Sequence, residues 1–483
     1  MGPTAAAALV FGASASVLVV EIVSLRLLAP YLGLTLETST LVIGLALTAI
    51  ATGSWVGGRW ADERDPGPLL PLLLAASGLA VTATPFLVQA TGLATADRGL
   101  LLLVAAATIL VPGMLLSAVT PIVTKLRLHS LAETGTVVGR LSAVATVGAI
   151  VGTVVTGFVL ISRVPITWIM VGLGIALTGA AAVVGWRARR PAAALAVATL
   201  IGTVGAAAAP RQCDAETTYH CAVVERDPAR PSGRILVLDG LRHSYVDLDD
   251  PTHLQFSYVR AIAAAVDAHV PSRRPLAAHF IGGGGLTLPR YLAAQRPGTR
   301  STVSEIDPGV LAVDRSRLGF RDGDEVRVRV EDARVGLRAL GPGSLDLVVG
   351  DAFGGVSVPW HLTTRETLED IKRTLREDGR YAVNLIDHGT LAFARAELAT
   401  LMGTFDHVAL AATPESTAGR GGGNLVALAS DAPLDAAAWR RGLTRAEVPW
   451  NVLEGSRLRS WIGQAPVLTD DYAPVDQLLT PFG

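Results

Sequence analysis

The sequence carries no excess charge of either sign: 41 Lys and Arg face 42 Asp and Glu, a net charge of -1. That balance excludes the basic footprint of a nucleic-acid binder and the block of like charge that marks an interaction tail. Lysine is confined to Lys125 and Lys372, and aromatic residues make up 5% of the chain; neither scarcity points to a mechanism. Cysteine is scarcer still, limited to Cys213 and Cys221. The first apolar run lacks the basic start of a secretory signal, is too long for one, and contains Glu21 and Arg26. It therefore reads as a retained segment rather than a cleaved one.

What the sequence has in abundance is apolar residue, 50% of the chain, unevenly placed. Long apolar runs dominate up to about Pro210, and ordinary charged globular sequence follows. A helix needs roughly 20 residues to cross the hydrocarbon layer. Seven segments qualify as candidate spans: Ala5–Ala29, Ser39–Val56, Leu69–Thr91, Leu100–Val119, Val137–Ile161, Pro165–Trp186 and Ala192–Ala209. The seventh is the shortest, is rich in Ala and is interrupted by Gly202 and Gly205. Arg59, Arg64, Lys125, Arg127, Arg140, Arg187, Arg189 and Arg190 fall in the even-numbered loops, against Arg98 and Arg163 in the odd ones. The positive-inside rule then puts the N-terminus in the cytoplasm, and seven spans put the C-terminal domain outside.

Cys213 and Cys221 lie just beyond the seventh segment, and a disulfide there suits an oxidising compartment. Two buried thiols or half a metal site is the alternative, although Cys-x7-Cys is no standard zinc spacing. Glu21, Arg26 and Glu37 lie in or beside spans, where ionisable groups are costly unless paired. They read as structural pairs or as the lining of a polar cavity. Gly139, Gly148, Gly152 and Gly157 give the fifth span a face of small residues for close helix packing.

The domain organisation read from these patterns is a helical bundle over residues 1–210, a linker with the Cys pair over 211–231, and a globular domain over 232–483. The last divides into a small β segment at 232–250, an α/β core at 251–430 and a tail at 431–483. In the core, a helix is expected at about Pro251–His269. Short strands then alternate with helices, the signature of a mostly parallel, doubly wound sheet.

The first strand of that core, Leu276–Ile281, ends in Gly282, Gly283, Gly284 and Gly285 ahead of a helix. Such a run lets a ligand approach the backbone beside the positive end of a helix. Glu305 ends the second strand about twenty residues on, placed to accept hydrogen bonds from ribose hydroxyls. Asp332 and Asp351 follow two further strands, so the three acids should share one edge of the sheet. Asp332 is also a candidate N-cap for a helix at Ala333–Leu340, and Asp351 a candidate turn cap. His243 and His253 read as structural histidines or as weak substrate contacts. Asp470 and Asp471 read as an acidic lip or as a turn.

From about Ile235 to Leu385 the chain resembles spermidine synthase and related polyamine aminopropyltransferases. The stretches that carry the likeness are Leu236-Val-Leu-Asp239-Gly240, Phe280-Ile-Gly-Gly-Gly-Gly285, Ser304-Glu305-Ile-Asp307, Glu331-Asp332-Ala-Arg334 and Asp346-Leu-Val-Val-Gly-Asp351. Gly57-Gly-Arg59-Trp-Ala-Asp62 and Leu468-Thr-Asp470-Asp471-Tyr-Ala-Pro474 are similar to stretches in the bacterial subgroup that fuses this domain behind membrane helices. The resemblance implies a polytopic α-helical membrane bundle followed by an α/β Rossmann-like domain of the class I methyltransferase and spermidine synthase type. It implies that the glycine loop and Glu305 hold the nucleoside of decarboxylated S-adenosylmethionine, that Asp332 meets the adenine, and that Asp351 deprotonates the attacking amine. It calls for no metal, a small-molecule amine and a lipid bilayer as partners, no nucleic acid, and allows a homodimer.

The departures fall on the amine side. The family's second acid after Asp351 is absent from Asp351-Ala-Phe-Gly354-Gly355. His243 stands in place of a glutamine, the Asp249–Gln255 stretch lacks the usual tyrosine and glutamate, and Gly285-Leu286 replaces the aspartate–glycine pair that ends the family's glycine loop. The resulting expectation is a membrane-anchored aminopropyltransferase or a diverged relative. Two alternatives remain beside it: a non-catalytic nucleoside- or polyamine-binding domain coupled to a transporter-like bundle, and an S-adenosylmethionine-dependent methyltransferase.

Overall fold

The apolar runs of the first half form helices in the structure, a computed structural model that describes residues 1–32, 36–94, 98–128, 130–161, 163–187, 202 and 213–480. They are α1 (Pro3–Leu32), α2 (Leu36–Glu63), α3 (Pro66–Ala94), α4 (Arg98–Ser117), α5 (Val119–Arg127), α6 (Thr134–Val155) and α7 (Ile166–Arg187). Among the described residues, six helices are long and apolar enough to cross a membrane, α4 and α5 together making one of them. The seventh candidate, Ala192–Ala209, lies outside the described residues except for Gly202.

Inside the bundle, small residues let helices approach closely. A Cβ at Gly148 or Gly152 of α6 would collide with the backbone of α1 at Phe11 or Ala15, whereas Gly139 and Gly157 face open space. Half of the expected small-residue face is thus a packing seam. The outward surface is large and apolar, with Phe158, Trp186 and Leu103 mostly exposed, a surface suited to lipid and not to water.

Two compact units divide the chain, Met1–Cys221 and Ala222–Gly483. In the first, a disulfide joins Cys213 and Cys221. The loop it closes is tied to the helices: Arg26 donates to the carbonyls of Thr217 (2.9 Å) and Tyr219, and Glu216 accepts from the backbone N–H of Ile166 at the start of α7. Arg26 thus has backbone carbonyls among its partners.

The second unit opens with an antiparallel meander of β1 (Cys221–Arg226), β2 (Gly233–Leu238) and β3 (Leu241–Asp247). Asp239 and Gly240 make the β2–β3 turn with φ of 50° and 81°, the left-handed pair that a two-residue hairpin requires. Helix α8 (Ser257–His269) begins six residues later than the expected Pro251. The acids at 249 and 250 are used otherwise: Asp247 accepts from the N–H groups of Asp249 and Asp250, and Asp250 from Thr252. These short Asx turns compete with a helix start and win it.

The remaining strands are β4 (Ala277–Ile281), β5 (Arg300–Glu305), β6 (Val326–Val330), β7 (Leu345–Gly350), β8 (Leu375–His388), β9 (His407–Ala412), β10 (Gly422–Ser430) and β11 (Asn451–Glu454). Their order across the sheet is β11-β9-β10-β8-β7-β4-β5-β6. From β6 to β8 the pairing is parallel, and from β8 to β11 it is antiparallel. Helices α9 (Thr287–Gln295), α10 (Pro308–Arg317), α11 (Ala333–Arg338), α12 (Arg365–Thr374) and α13 (Ala392–Thr404) make the crossovers of this Rossmann-like fold. Apolar clusters cover both faces, one around Leu368, Phe393 and Leu398, the other around Ile262, Phe280 and Trp439.

Candidate active site

The parallel strands end side by side, and their ends are laced together. The N–H of Gly282 donates to the carbonyl of Ser304 at 3.0 Å, and that of Asp351 to Ile281 at 2.9 Å. This brings the glycine loop after β4, Glu305 at the end of β5 and Asp351 after β7 to one edge, where open α/β sheets bind ligands.

The glycines are needed for space. Gly282 sits at φ +97°, and a Cβ there would collide with the backbone of Asp351. Gly284 sits at φ +47°, with Ser244 and His243 of β3 close against it. Any larger residue would push the loop away from the meander or from Asp351. Ser244 also accepts from the N–H of Gly285 at 3.0 Å, which fixes the loop ahead of α9.

Glu305 is buried and held at both oxygens. Oε2 accepts from the N–H of Gly283 at 2.7 Å and Oε1 from that of Asp307 at 2.8 Å. The bond from Gly283 orients the carboxylate toward the glycine loop. Behind it, Asp314 on α10 is buried, and burial followed by the charge of Glu305 pushes its carboxyl well above the usual range.

Asp332 is the N-cap of α11, accepting from the N–H groups of Arg334 (2.9 Å) and Val335 (3.2 Å). Its other oxygen lies 2.9 Å from Nε2 of His361. The helix is Ala333–Arg338, two residues shorter than the expected Ala333–Leu340.

Asp351 carries the most informative geometry. Its Oδ1 accepts from the side-chain amide of Asn384 on β8 at 2.8 Å, and its Oδ2 from the hydroxyl of Tyr258 on α8 at 3.1 Å. Asn384 in turn accepts from Asn424 on β10 at 3.0 Å, so a relay of two amides orients the carboxylate. Burial raises the Asp351 pKa from 3.8 to about 6, partly offset by the bonds from Asn384 and Tyr258. Burial and the Asp351 charge push the Tyr258 hydroxyl well above its ordinary value, so it remains a proton donor. A carboxylate tuned toward neutral pH and held by two donors is suited to general base chemistry.

Tyr258, Asn384 and Asn424 escaped the sequence reading. Tyr258 stands on the helix after the Asp249–Gln255 stretch in which a tyrosine is missing. Asn384 carried a signal, being a polar residue inside the apolar strand run Tyr381–Leu385, and buried amides need partners.

Two of the weaker candidates are placed elsewhere. His253 bonds to Gln255 at 3.2 Å and faces a separate cavity of about 660 Å³ shared with Arg260, Tyr291 and Arg296. The reason is the Asx-turned start of α8, which leaves His253 ahead of the helix that brings Tyr258 to Asp351. Asp470 receives a two-pronged bond from Arg334 (2.8 and 2.7 Å) and another from Thr364 (2.8 Å). Its carboxylate clasps the tail to α11 and α12, and it is not free to act as an acidic lip. Asp471 is exposed on the turn closed by Thr469 and Tyr472, and His243 lies beside the glycine loop. Among the described residues, no group of three or more His, Cys, Asp or Glu side chains could hold a metal ion.

No family model matches the chain. A solved structure of a probable spermidine synthase from Corynebacterium glutamicum superposes on 53% of this chain and 95% of its own, with 32% identity and a TM-score of 0.50. The chain belongs to the spermidine synthase family. The polyamine aminopropyltransferase of Vibrio vulnificus is 31% identical over 164 residues, which is 32% of this chain and 54% of that protein. That of Chromobacterium violaceum is 30% identical over 141 residues, 29% of this chain and 53% of that protein. The chain thus spans about half the length of these curated relatives. Within this domain, Glu305 and Asp351 lie beside the glycine loop, while position 354, where the family resemblance leads one to look for a second acid, is glycine.

Proposed function

We propose that the second unit transfers an aminopropyl group from decarboxylated S-adenosylmethionine to a small amine, and that the helical bundle tethers it to a membrane. The observation that carries this reading is Asp351: a carboxylate beside the glycine loop, oriented by Asn384 and Tyr258, with its pKa raised to about 6.

In the reaction, the amine must present a lone pair. Asp351 takes the proton that the nitrogen sheds, and the nitrogen bonds to the methylene carbon next to the sulfonium. The carbon–sulfur bond breaks with its electron pair going to sulfur, and neutral methylthioadenosine leaves. Tyr258 and Asn384 steady the carboxylate in both protonation states. Glu305, braced by Gly283 and Asp307, accepts from the ribose hydroxyls. Asp332 stands at the next strand end, toward the adenine.

The test uses the full-length chain purified in detergent and supplied with decarboxylated S-adenosylmethionine and a panel of amines. Methylthioadenosine release is expected, and Asp351→Asn should lower it by about 10²–10⁴-fold, the usual reach of general base catalysis, while nucleoside affinity stays within about twofold. No release above the Asp351→Asn background with any amine would overturn the proposal.

A further inference from the structure

The cavity that His253 faces lies apart from the strand ends. One side of it is a face of α8, where Arg260, Ala263, Ala264 and Asp267 recur at helical spacing. Tyr258, which bonds to Asp351, is two residues from Arg260 and so about 200° round the helix. The cavity therefore sits on the side of α8 turned away from the proposed base. Small side chains make the room: Ala264 packs against Gly442 of the helix Ala436–Arg445, and the volume is about 660 Å³.

The charges around this space are uneven. Arg260, Arg273, Arg296 and Arg445 line it, against the two carboxylates of Asp250 and Asp267. Both carboxylates are already engaged. Asp267 accepts from Arg296 at 2.8 Å, and Asp250 accepts from Thr252 and from Arg230. Among the described residues, Arg260, Arg273 and Arg445 have no ion pair. Arg260 donates from one end of its guanidinium to the carbonyl of Ala446 at 2.9 Å, while its Nε is buried with no hydrogen-bond partner. A buried N–H without an acceptor carries the full desolvation cost of that group. Tyr291 adds a neutral donor. Burial, then the charge of Asp267, pushes its hydroxyl up to about 12, and that hydroxyl has no hydrogen bond among the described residues.

We infer that this cavity binds a small phosphoryl-bearing polyanion, with Arg260 as its central contact and Arg273 and Arg445 at its rim. A guanidinium fork matches phosphoryl oxygens, and a phosphoryl group gathers up to about two charges and three acceptors in one place. Soluble phosphate esters and anionic lipid headgroups share this chemistry. The site does not depend on the aminopropyl-transfer reading.

The test is calorimetric titration of pyrophosphate into the full-length chain in detergent at fixed ionic strength. Wild type is compared with Arg260→Gln, Arg260→Lys and Arg445→Gln, and with Arg338→Gln, which removes a guanidinium paired with Asp370 elsewhere. Wild type should bind saturably. Arg260→Gln should weaken binding by about tenfold, the reach of one charge-assisted hydrogen bond. The more exposed Arg445→Gln should weaken it by about threefold, and Arg260→Lys should keep part of the affinity. Arg338→Gln should stay within about twofold, and saturating methylthioadenosine should leave pyrophosphate affinity unchanged. Displacement of pyrophosphate by dihexanoyl phosphatidic acid but not by glycerol phosphate would identify a lipid headgroup as the occupant; displacement by both would identify a soluble phosphate ester. No saturable binding by wild type, or competition with methylthioadenosine, would overturn the inference. So would losses in Arg260→Gln and Arg445→Gln no larger than in Arg338→Gln. If Arg260→Gln does not fold, Arg445→Gln against Arg338→Gln decides.

Discussion

At the scale of the residue, the site is governed by what surrounds Asp351. Burial raises its pKa to about 6, and the Asn384 amide pulls it down. The base must be ionised to accept a proton, so turnover under the proposed mechanism should rise with pH through about 6 and then level off. Removing the Asn384 bond removes a stabiliser of the ionised form, which raises the pKa further. Asn384→Ala should therefore move the rising limb of the kcat/KM profile to higher pH, and Asn424→Ala should move it less in the same direction. A limb that stays in place or moves to lower pH would show that the amide relay does not tune the base. Asp351 and Glu305 could be named from sequence because strand ends and glycine loops leave local patterns. Asn384 and Tyr258 could not be assigned, because their partner is 33 and 93 residues away and their meaning lies in that partner.

At the scale of the element, boundaries follow competition between side chains and backbone. Asp249, Asp250 and Pro251 suggested an early start to α8, and the Asx turns of Asp247 and Asp250 hold that stretch out of the helix instead. The same kind of reassignment applies to Asp470. Read as a site acid, it is a clasp: Arg334, which is buried, and Thr364 both bond to it. Asp470→Ala leaves the Arg334 guanidinium without its carboxylate. The loss is expected at about 1–3 kcal/mol, discounted for the partial exposure of Asp470. It should appear in chemical denaturation as a lower midpoint and in hydrogen exchange as faster exchange of the tail around Val475. An unchanged midpoint would mean that the clasp contributes nothing measurable.

At the scale of the whole molecule, the open quantity is topology. Loop charges and a disulfide between Cys213 and Cys221 both suit an N-terminus in the cytoplasm and a second unit outside it. A reporter active only in an oxidising compartment, fused after Gly483, should then be active, and a cytoplasmic reporter at the same position silent. The reverse result would mean that an even number of segments cross the membrane ahead of the second unit.

The sequence by itself determined the properties that depend on local pattern and composition. It set apart an apolar, multi-span half from a globular half, and it marked the alternating strands and helices, the glycine loop and the acids at successive strand ends. These are legible because hydrophobic period and turn chemistry act over a few residues. The tertiary structure alone decided which acids remain available for chemistry. Asp470 is held by Arg334, Glu305 by two backbone amides, and Asp351 by an amide relay and a tyrosine. Each outcome depends on burial and on partners brought from distant parts of the chain, and the free energy of a carboxylate is set by those neighbours rather than by its place in the sequence.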